Sequence, residues 1–260
     1  MTKKKIDVLV LFIFIILTNV FFYFIDDVLI TIPLGSFLFL GPPLLYLSLR
    51  EKKDWIKILA TVLVIGFVVG LPFTFLGELT YAWTIYAENW RLFNVFYFPV
   101  VIGWMLMTAL TIAVYQHFYI GFNNKVRGIS NRFKPIVICL LIISTLIIVL
   151  CIYWPNIFTK KYSYLIFGSI NFIPVAYYII KRPKFIISLL PLGLYFFMIY
   201  FSMEYIGLTS GLWAFNGSYI GEVYLFGVNF PIEEFVYWML LFAISTICCY
   251  KAFISVKVEH

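Results

Sequence analysis

The sequence predicts an all-α, polytopic membrane protein of about eight transmembrane helices. Three observations predict it. Hydrophobic residues make up 63% of the chain and charged residues only 12%, against about 25% charged in a soluble domain. The apolar residues fall in long runs of about membrane length, without the alternation of a barrel strand. The cations gather in alternate connections between those runs. A mean hydropathy of +1.01 agrees. A net charge of +7 would direct a soluble chain to nucleic acid. Here topology accounts for it, and no nucleic-acid partner is expected.

In order, the expected spans are 6–25, 28–49, 56–76, 93–119, 135–154, 162–180, 185–205 and 230–250. Lys3, Lys4 and Lys5 before the first run resemble the start of a signal peptide. That run is of membrane length and no small-residue cleavage site follows it, so a retained first span is expected. With the N-terminus inside, segments 3–5, 50–57, 125–134, 181–184 and Lys251 with Lys257 hold sixteen of the nineteen cations. Only Arg91, Lys160 and Lys161 fall outside. The acids show the reverse bias, with Asp26, Asp27, Glu78 and Glu88 among those on the outer side. The expectation is a multi-pass protein of the cell membrane, with both termini cytoplasmic and the lipid bilayer as its surroundings. The four cysteines lie in apolar runs and form neither a disulfide framework nor a CxxC site. The two histidines, His117 and His260, leave no histidine-based metal centre, and no metal is expected.

The connections suggest a duplication into two parallel four-helix repeats. The third and seventh spans are each followed by a long outer loop that opens with a Glu, Glu78 or Glu204, and is rich in Trp and Tyr. Each loop returns through an aromatic–Pro pair, Phe98–Pro99 or Phe230–Pro231, into a long last helix. An even repeat gives both halves one orientation. The expected organisation is a first half at 1–120, a basic cytoplasmic linker at 121–134 and a second half at 135–260. The halves differ in chemistry: Glu233 and Glu234 follow Pro231, whereas Val100, Val101 and Ile102 follow Pro99. The first half is a degenerate repeat without an acid pair.

Stretch 204–238 holds four of the twelve acids and no Lys or Arg. Pro fits the first turn of a helix, so Pro231 is expected to open the last span, with Glu233 and Glu234 in its first turn. Capping by the helix dipole would explain one acid there but not two. Adjacent helical residues diverge by about 100°, so one acid can face the bundle and the other the loop. One turn on, Tyr237 stands over Glu233 and Trp238 over Glu234. An acid enclosed by aromatic rings favours its neutral form, and Glu204 is the natural second carboxyl. Aromatic faces can stabilise a cation beside such a donor. Chemistry that needs both is alkene protonation followed by carbocation rearrangement.

Glu204, Trp213-Ala214-Phe215, Ile220-Gly221 and Pro231-Ile232-Glu233-Glu234-Phe235 resemble the lycopene cyclase domain family, the membrane-embedded, flavin-independent carotenoid cyclases. The resemblance covers about 35 residues, 204–238. It implies a redox-neutral, cofactor-free cyclisation of the acyclic ψ end of lycopene or a related polyprenoid within the membrane. The implied catalytic residues are Glu233, Glu234 and Glu204, with Glu234 as donor and Glu233 as its hydrogen-bonded support. Trp213, Phe215, Pro231, Phe235, Tyr237 and Trp238 would bind substrate, with Glu78 and Glu222 as secondary candidates. For Trp213 and Phe215, an interfacial aromatic belt is the competing explanation. The chain departs from the family in its first half, which keeps Glu78, Trp83 or Trp90 and Pro99 but has no Glu-Glu. No flavin site is expected, since the chain lacks a GxGxxG and any soluble α/β region. Residues 204–211 also resemble a segment of membrane carotenoid hydratases, which add water to the same end. A non-catalytic polyprenoid-binding subunit is the third reading. Self-association, or association with other carotenoid enzymes, is left open.

Overall fold

The computed structural model describes residues 3–25, 28–50, 55–86, 91–92, 96–120, 133–158 and 161–253. Most of the expected 121–134 linker lies outside these residues, as do Asp26, Asp27, Glu88, Trp90, Lys160, Lys257 and His260. The chain is an all-α membrane protein in architecture. Among the described residues, six helices are long and apolar enough to cross a membrane, and seven if a bent pair at the end counts as one span. α1 is Lys3–Tyr23 and α2 is Val28–Arg50. α3 runs through Trp55–Thr61, a π-helical Val62–Val69 and Gly70–Leu79. α4 is Phe98–Tyr115, continued by a π-helical Gln116–Ile120. α5 is Phe133–Tyr153. α6 is Ser163–Gly168, a 3₁₀ turn Ser169–Asn171 and Phe172–Lys181. α7 is Pro183–Thr209. α8 joins the π-helical Glu234–Leu240 to Phe242–Phe253 across a bend of 51°.

Burial separates the centre of the bundle from its rim. In α4, 72% of the apolar window is buried, against 11% in α5. α4 can be central because it turns small residues inward. Gly103, Thr108, Ala109, Thr111 and Ala113 let α2, α3 and α8 pack close to its axis. Leu110, Ile112, Leu189, Phe196, Met239 and Ile247 are fully enclosed in the core between α4, α7 and α8. α5 shows Ile138, Ile142, Ile143 and Leu146 outward, as a lipid-facing helix should.

The two long connections are not plain loops. They carry three antiparallel ribbons: β1 (Thr84–Ile85) with β4 (Trp213–Ala214), β2 (Arg91–Leu92) with β3 (Phe96–Tyr97), and β5 (Glu222–Leu225) with β6 (Val228–Pro231). Two expected boundaries change as a result. The fourth helix begins at Phe98, not Phe93, because Phe96 and Tyr97 pair with β2. The last helix does not include Phe230 or Pro231, since Pro231 ends β6 opposite Glu222 and the helix follows directly. Hydropathy cannot separate an apolar strand from the helix it leads into.

The exits from α3 and α7 share one backbone course. Thr80 N–H bonds to Leu76 O at 2.9 Å and Ala82 N–H to Gly77 O at 2.9 Å. Ser210 N–H bonds to Ile206 O at 3.0 Å and Leu212 N–H to Gly207 O at 2.9 Å. Both turns pass through a left-handed residue, Tyr81 with φ 57° and Gly211 with φ 65°. Both fold a tryptophan back over a glycine. A Cβ on Gly77 would stand 1.9 Å from Trp83 Cζ2, and one on Gly207 would stand 2.0 Å from Trp213 Cζ2. β1 and β4 then pair the two connections to each other. At the end of the bundle away from the ribbons, the buried Asp7 carboxylate accepts from Tyr46 Oη at 2.6 Å and Arg50 Nε at 2.8 Å, and lies 3.0 Å from His117 Nε2. That cluster ties α1, α2 and α4 together.

Candidate functional site

At the ribbon end a cleft of about 1000 Å³, including its open mouth, enters the bundle. Glu204 and Glu234 line it, Glu204 from the last turns of α7 and Glu234 from the first turn of α8. They are 7% and 5% exposed, too little for water to satisfy them. Both carboxyls face the same cleft, and each accepts from a donor. Trp213 Nε1–H donates to Glu204 Oε2 at 2.8 Å, and Tyr164 O–H donates to Glu234 Oε2. The result is a buried acid pair, Glu204 held by Trp213 and Glu234 held by Tyr164, with no cation among the residues that line the cleft.

Local sequence explains how the pair is held. Trp213 reaches Glu204 because the turn through Gly211 folds the chain back on α7, and only a glycine at 207 leaves room for the indole. Tyr164 stands in the first turn of α6, packed against Trp83 and stacked on Phe167. Trp238 stacks on Tyr200 at 5.0 Å and 24° and meets Trp104 edge-on at 4.4 Å. Tyr219 closes the site from the loop side, donating to Ala82 O at 3.0 Å and accepting from Gly217 N–H at 2.6 Å. Burial pushes its hydroxyl up to about 12, so it stays a neutral phenol and a donor at any physiological pH.

Of the residues expected at the site, the cleft brings together Glu204, Glu234, Trp213, Phe215, Tyr237 and Trp238. It does not include Glu233. That carboxyl is 1% exposed and turned to the loop, where Oε1 accepts Ile220 N–H at 2.9 Å; its Oε2 has no protein partner. Its hydrogen bond is therefore to the connection and not to Glu234. Pro231 and Phe235 also lie away from the cleft. Pro231 ends β6, and Phe235 packs on Phe230 and Phe197. α8 starts as a π-helix, whose i to i+5 bonds change the angular step per residue. Tyr237 bonds Ser169 Oγ at 3.0 Å. Glu78 is bound elsewhere, with Arg91 Nη1 at 2.6 Å and Tyr97 N–H at 3.1 Å on its carboxylate. Glu222 is exposed and accepts from Asn229 Nδ2 at 2.5 Å.

No family model, no curated protein and no solved structure matches this chain. The geometry therefore carries the functional argument. Sequence reasoning missed Tyr164, which stands 70 positions from Glu234 and has the sequence context of an ordinary interfacial tyrosine. It also missed Trp83, Phe73 and Trp104, first-half aromatics that wall a site expected in the second half alone. The aromatic–Pro pair before each last helix was the available signal, since it implied that both connections meet at one end. Chemically, the arrangement offers two buried carboxyls without a cation, a phenol and an indole that fix them, and aromatic rings around an apolar space.

Proposed function

We propose that this chain is a lycopene cyclase-like enzyme: a redox-neutral, acid-catalysed cyclase of the acyclic end of a carotenoid or related polyprenoid, acting within the membrane. The observation that carries the reading is the buried pair of Glu204, held by Trp213, and Glu234, held by Tyr164, lining an aromatic-walled cleft that has no cation in its lining. Glu234 gives a proton to the terminal alkene, at C2 of the C1=C2 bond, and leaves a tertiary cation at C1. The C5=C6 electron pair closes C6 onto C1 and moves the cation to C5. Loss of a proton from C6, C4 or the C5 methyl restores an alkene as a β, ε or γ ring, and Glu204 is placed to accept it. The product is an isomer of the substrate, and no electrons are exchanged. Trp83, Trp104 and Trp238 line the cleft and would stabilise the cation. The sequence resemblance over 204–238 supports the same reading. Glu234 as donor agrees with its place in the cleft, and Glu233 acts as an anchor between α8 and the 210–220 loop.

The fold belongs to the same reading. Adding α2 to the six long helices and the bent pair gives eight spans, arranged as two parallel repeats joined face to face through β1 and β4. The positive-inside bias puts both termini in the cytoplasm of a cell-membrane protein. Reporter fusions at Arg127 and Arg182 should both report the cytoplasmic side. A fusion at either position that reports the outside overturns the topology.

The test of function is expression in lycopene-accumulating cells with chromatography and mass analysis of pigments. Cyclisation gives products of unchanged mass with one or two rings. Addition of one water per end assigns the chain to the hydratases, and unreacted carotenoid that copurifies with the protein makes it a binding subunit.

A further inference from the structure

The lining of the cleft extends past the acid pair to Asn171 of α6, Trp104 and Met107 of α4, Gly35 of α2 and Phe22 of α1; contacts of Trp238 with Trp104, of Gly103 with Ser36 and of Gly35 with Phe22 connect the acid end to α1. The carboxyls come from α7 and α8, but the far end is built by α1, α2 and α4. Two residues without side chains floor that end. A Cβ on Gly103 would stand 3.1 Å from Ser36 Oγ, so α2 and α4 are in close approach there. A Cβ on Gly35 would meet only the Phe22 ring, at 3.6 Å, and otherwise face open space. Phe22 stacks on Phe39 at 6.0 Å and 14° and forms the end wall.

We infer that the acid-free first half is the chain-binding half of the site: the cleft seats the reacting end of a linear polyprenoid at Glu204 and Glu234, carries the following isoprene units over Gly103 and Gly35, and uses Gly35 to set the chain length accepted. This rests on the polyprenoid reading above. The walls give the direction. Trp83, Trp213 and Trp238 stand at the acid end, where a cation develops. The far end offers Met107, Phe39 and bare helix backbone, suited to a chain of alkene and methyl groups with no polar atom to satisfy. α2 and α4 approach closely at Ser36 and Gly103, which matches a thin chain better than a ring system.

Trp83, Trp104, Trp213 and Trp238 line the cleft, so a bound polyene quenches their fluorescence. The experiment uses the full chain in detergent with Glu204→Gln and Glu234→Gln together, to stop turnover. It is titrated with lycopene and with crocetin dimethyl ester, an acyclic polyene with half lycopene's carbon skeleton. Both should quench. Gly35→Leu should weaken lycopene about tenfold or more, the scale of a few methylenes denied burial, and leave the shorter polyene within about twofold. If Gly35→Leu does not accumulate, Gly35→Val serves in the same titration. Equal weakening of both ligands, or of neither, overturns the inference while the polyprenoid reading stands. Failure of both to quench before Gly35 is altered overturns that reading as well.

Discussion

After α3 the chain turns through Gly77 with Trp83 folded over it, and after α7 it turns through Gly207 with Trp213 folded over it. The acids beside these turns differ. Glu78 is one residue past its glycine, which sends its carboxylate outward to Arg91 and to the Tyr97 amide. Glu204 is three residues before its glycine and almost one helical turn back, so its carboxyl lies under the indole and lines the cleft with Glu234. The position three residues before Gly77 is Thr74, whose hydroxyl donates to Gly70 O at 2.9 Å. One backbone course thus yields an ion-paired structural acid in one place and a cation-free acid pair in the other. A carboxylate held by Arg and an amide stabilises structure but has no proton to give. Two carboxylates buried in one cleft with no cation to offset them would be costly.

The comparison breaks first at the acids. Glu234→Gln should lower pigment conversion by about 10² to 10⁴, the usual contribution of a positioned general acid. Glu204→Gln should lower it too or redirect the ring isomer, because it removes the group placed to take the proton back. Immunoblots of membrane fractions should show both variants at normal levels. If the double change leaves conversion intact, the site is wrong.

The glycines sharpen it. Alanine at 77 or at 207 drives a Cβ into a tryptophan ring at about 2 Å, so either indole must move. Overpacking of this kind costs about 1–3 kcal/mol, and thermal shift in detergent should find similar losses for the two. Activity should separate them. Gly207→Ala displaces the donor to Glu204 and should reduce turnover of the folded fraction well below that of Gly77→Ala. Equal effects on turnover would mean that Trp213 acts only as a wall.

Trp213→Phe isolates the hydrogen bond from the packing. It keeps most of the ring and removes the indole N–H that Glu204 accepts at 2.8 Å. A hydrogen bond to a charged group is worth about 1.5–3 kcal/mol, which corresponds to about 10- to 100-fold in rate if it is fully expressed in the transition state. Trp83→Phe at the matching position should cost less than about threefold. Rescue of Trp213→Phe by no other aromatic would confirm that the N–H matters.

The helical runs were legible because each is a long apolar stretch closed by charge or proline, and Pro99 does open α4. Glu204 and Glu234 were legible because carboxyls without nearby cations stand out in such a sequence. The ribbons were not: β1 and β4 are two residues each, 130 positions apart, too short for any periodicity to mark. Pro231 lies outside the cleft because it ends β6, and Phe235 because it packs on Phe230 and Phe197; a strand that runs directly into a helix has no local sequence mark. Tyr164 could not be found from spacing, since its partner is set by how α6 packs on α8. The Asp7 cluster escaped notice for the same reason, with Tyr46, Arg50 and His117 supplied by two other helices.

The smallest expected effect is at Glu78. Its pair with Arg91 is partly open to solvent, 12% exposed for the Glu side chain and 22% for the Arg. Glu78→Gln keeps a carbonyl oxygen for the Tyr97 amide and loses the ionic part of the contact. Exposure screens much of that energy, so the cost should be about 1 kcal/mol or less in thermal stability. Arg91 Nη2 also donates to Ile85 O at 2.7 Å, which keeps the guanidinium in place after the change. Conversion of pigment should stay within about twofold, because no atom of Glu78 reaches the cleft. Higher salt should narrow the stability gap between the two proteins, as it screens the ion pair in the unsubstituted one. A loss of activity near that of Glu204→Gln would mean that the two turns share catalysis, and the division of labour between the halves would fall.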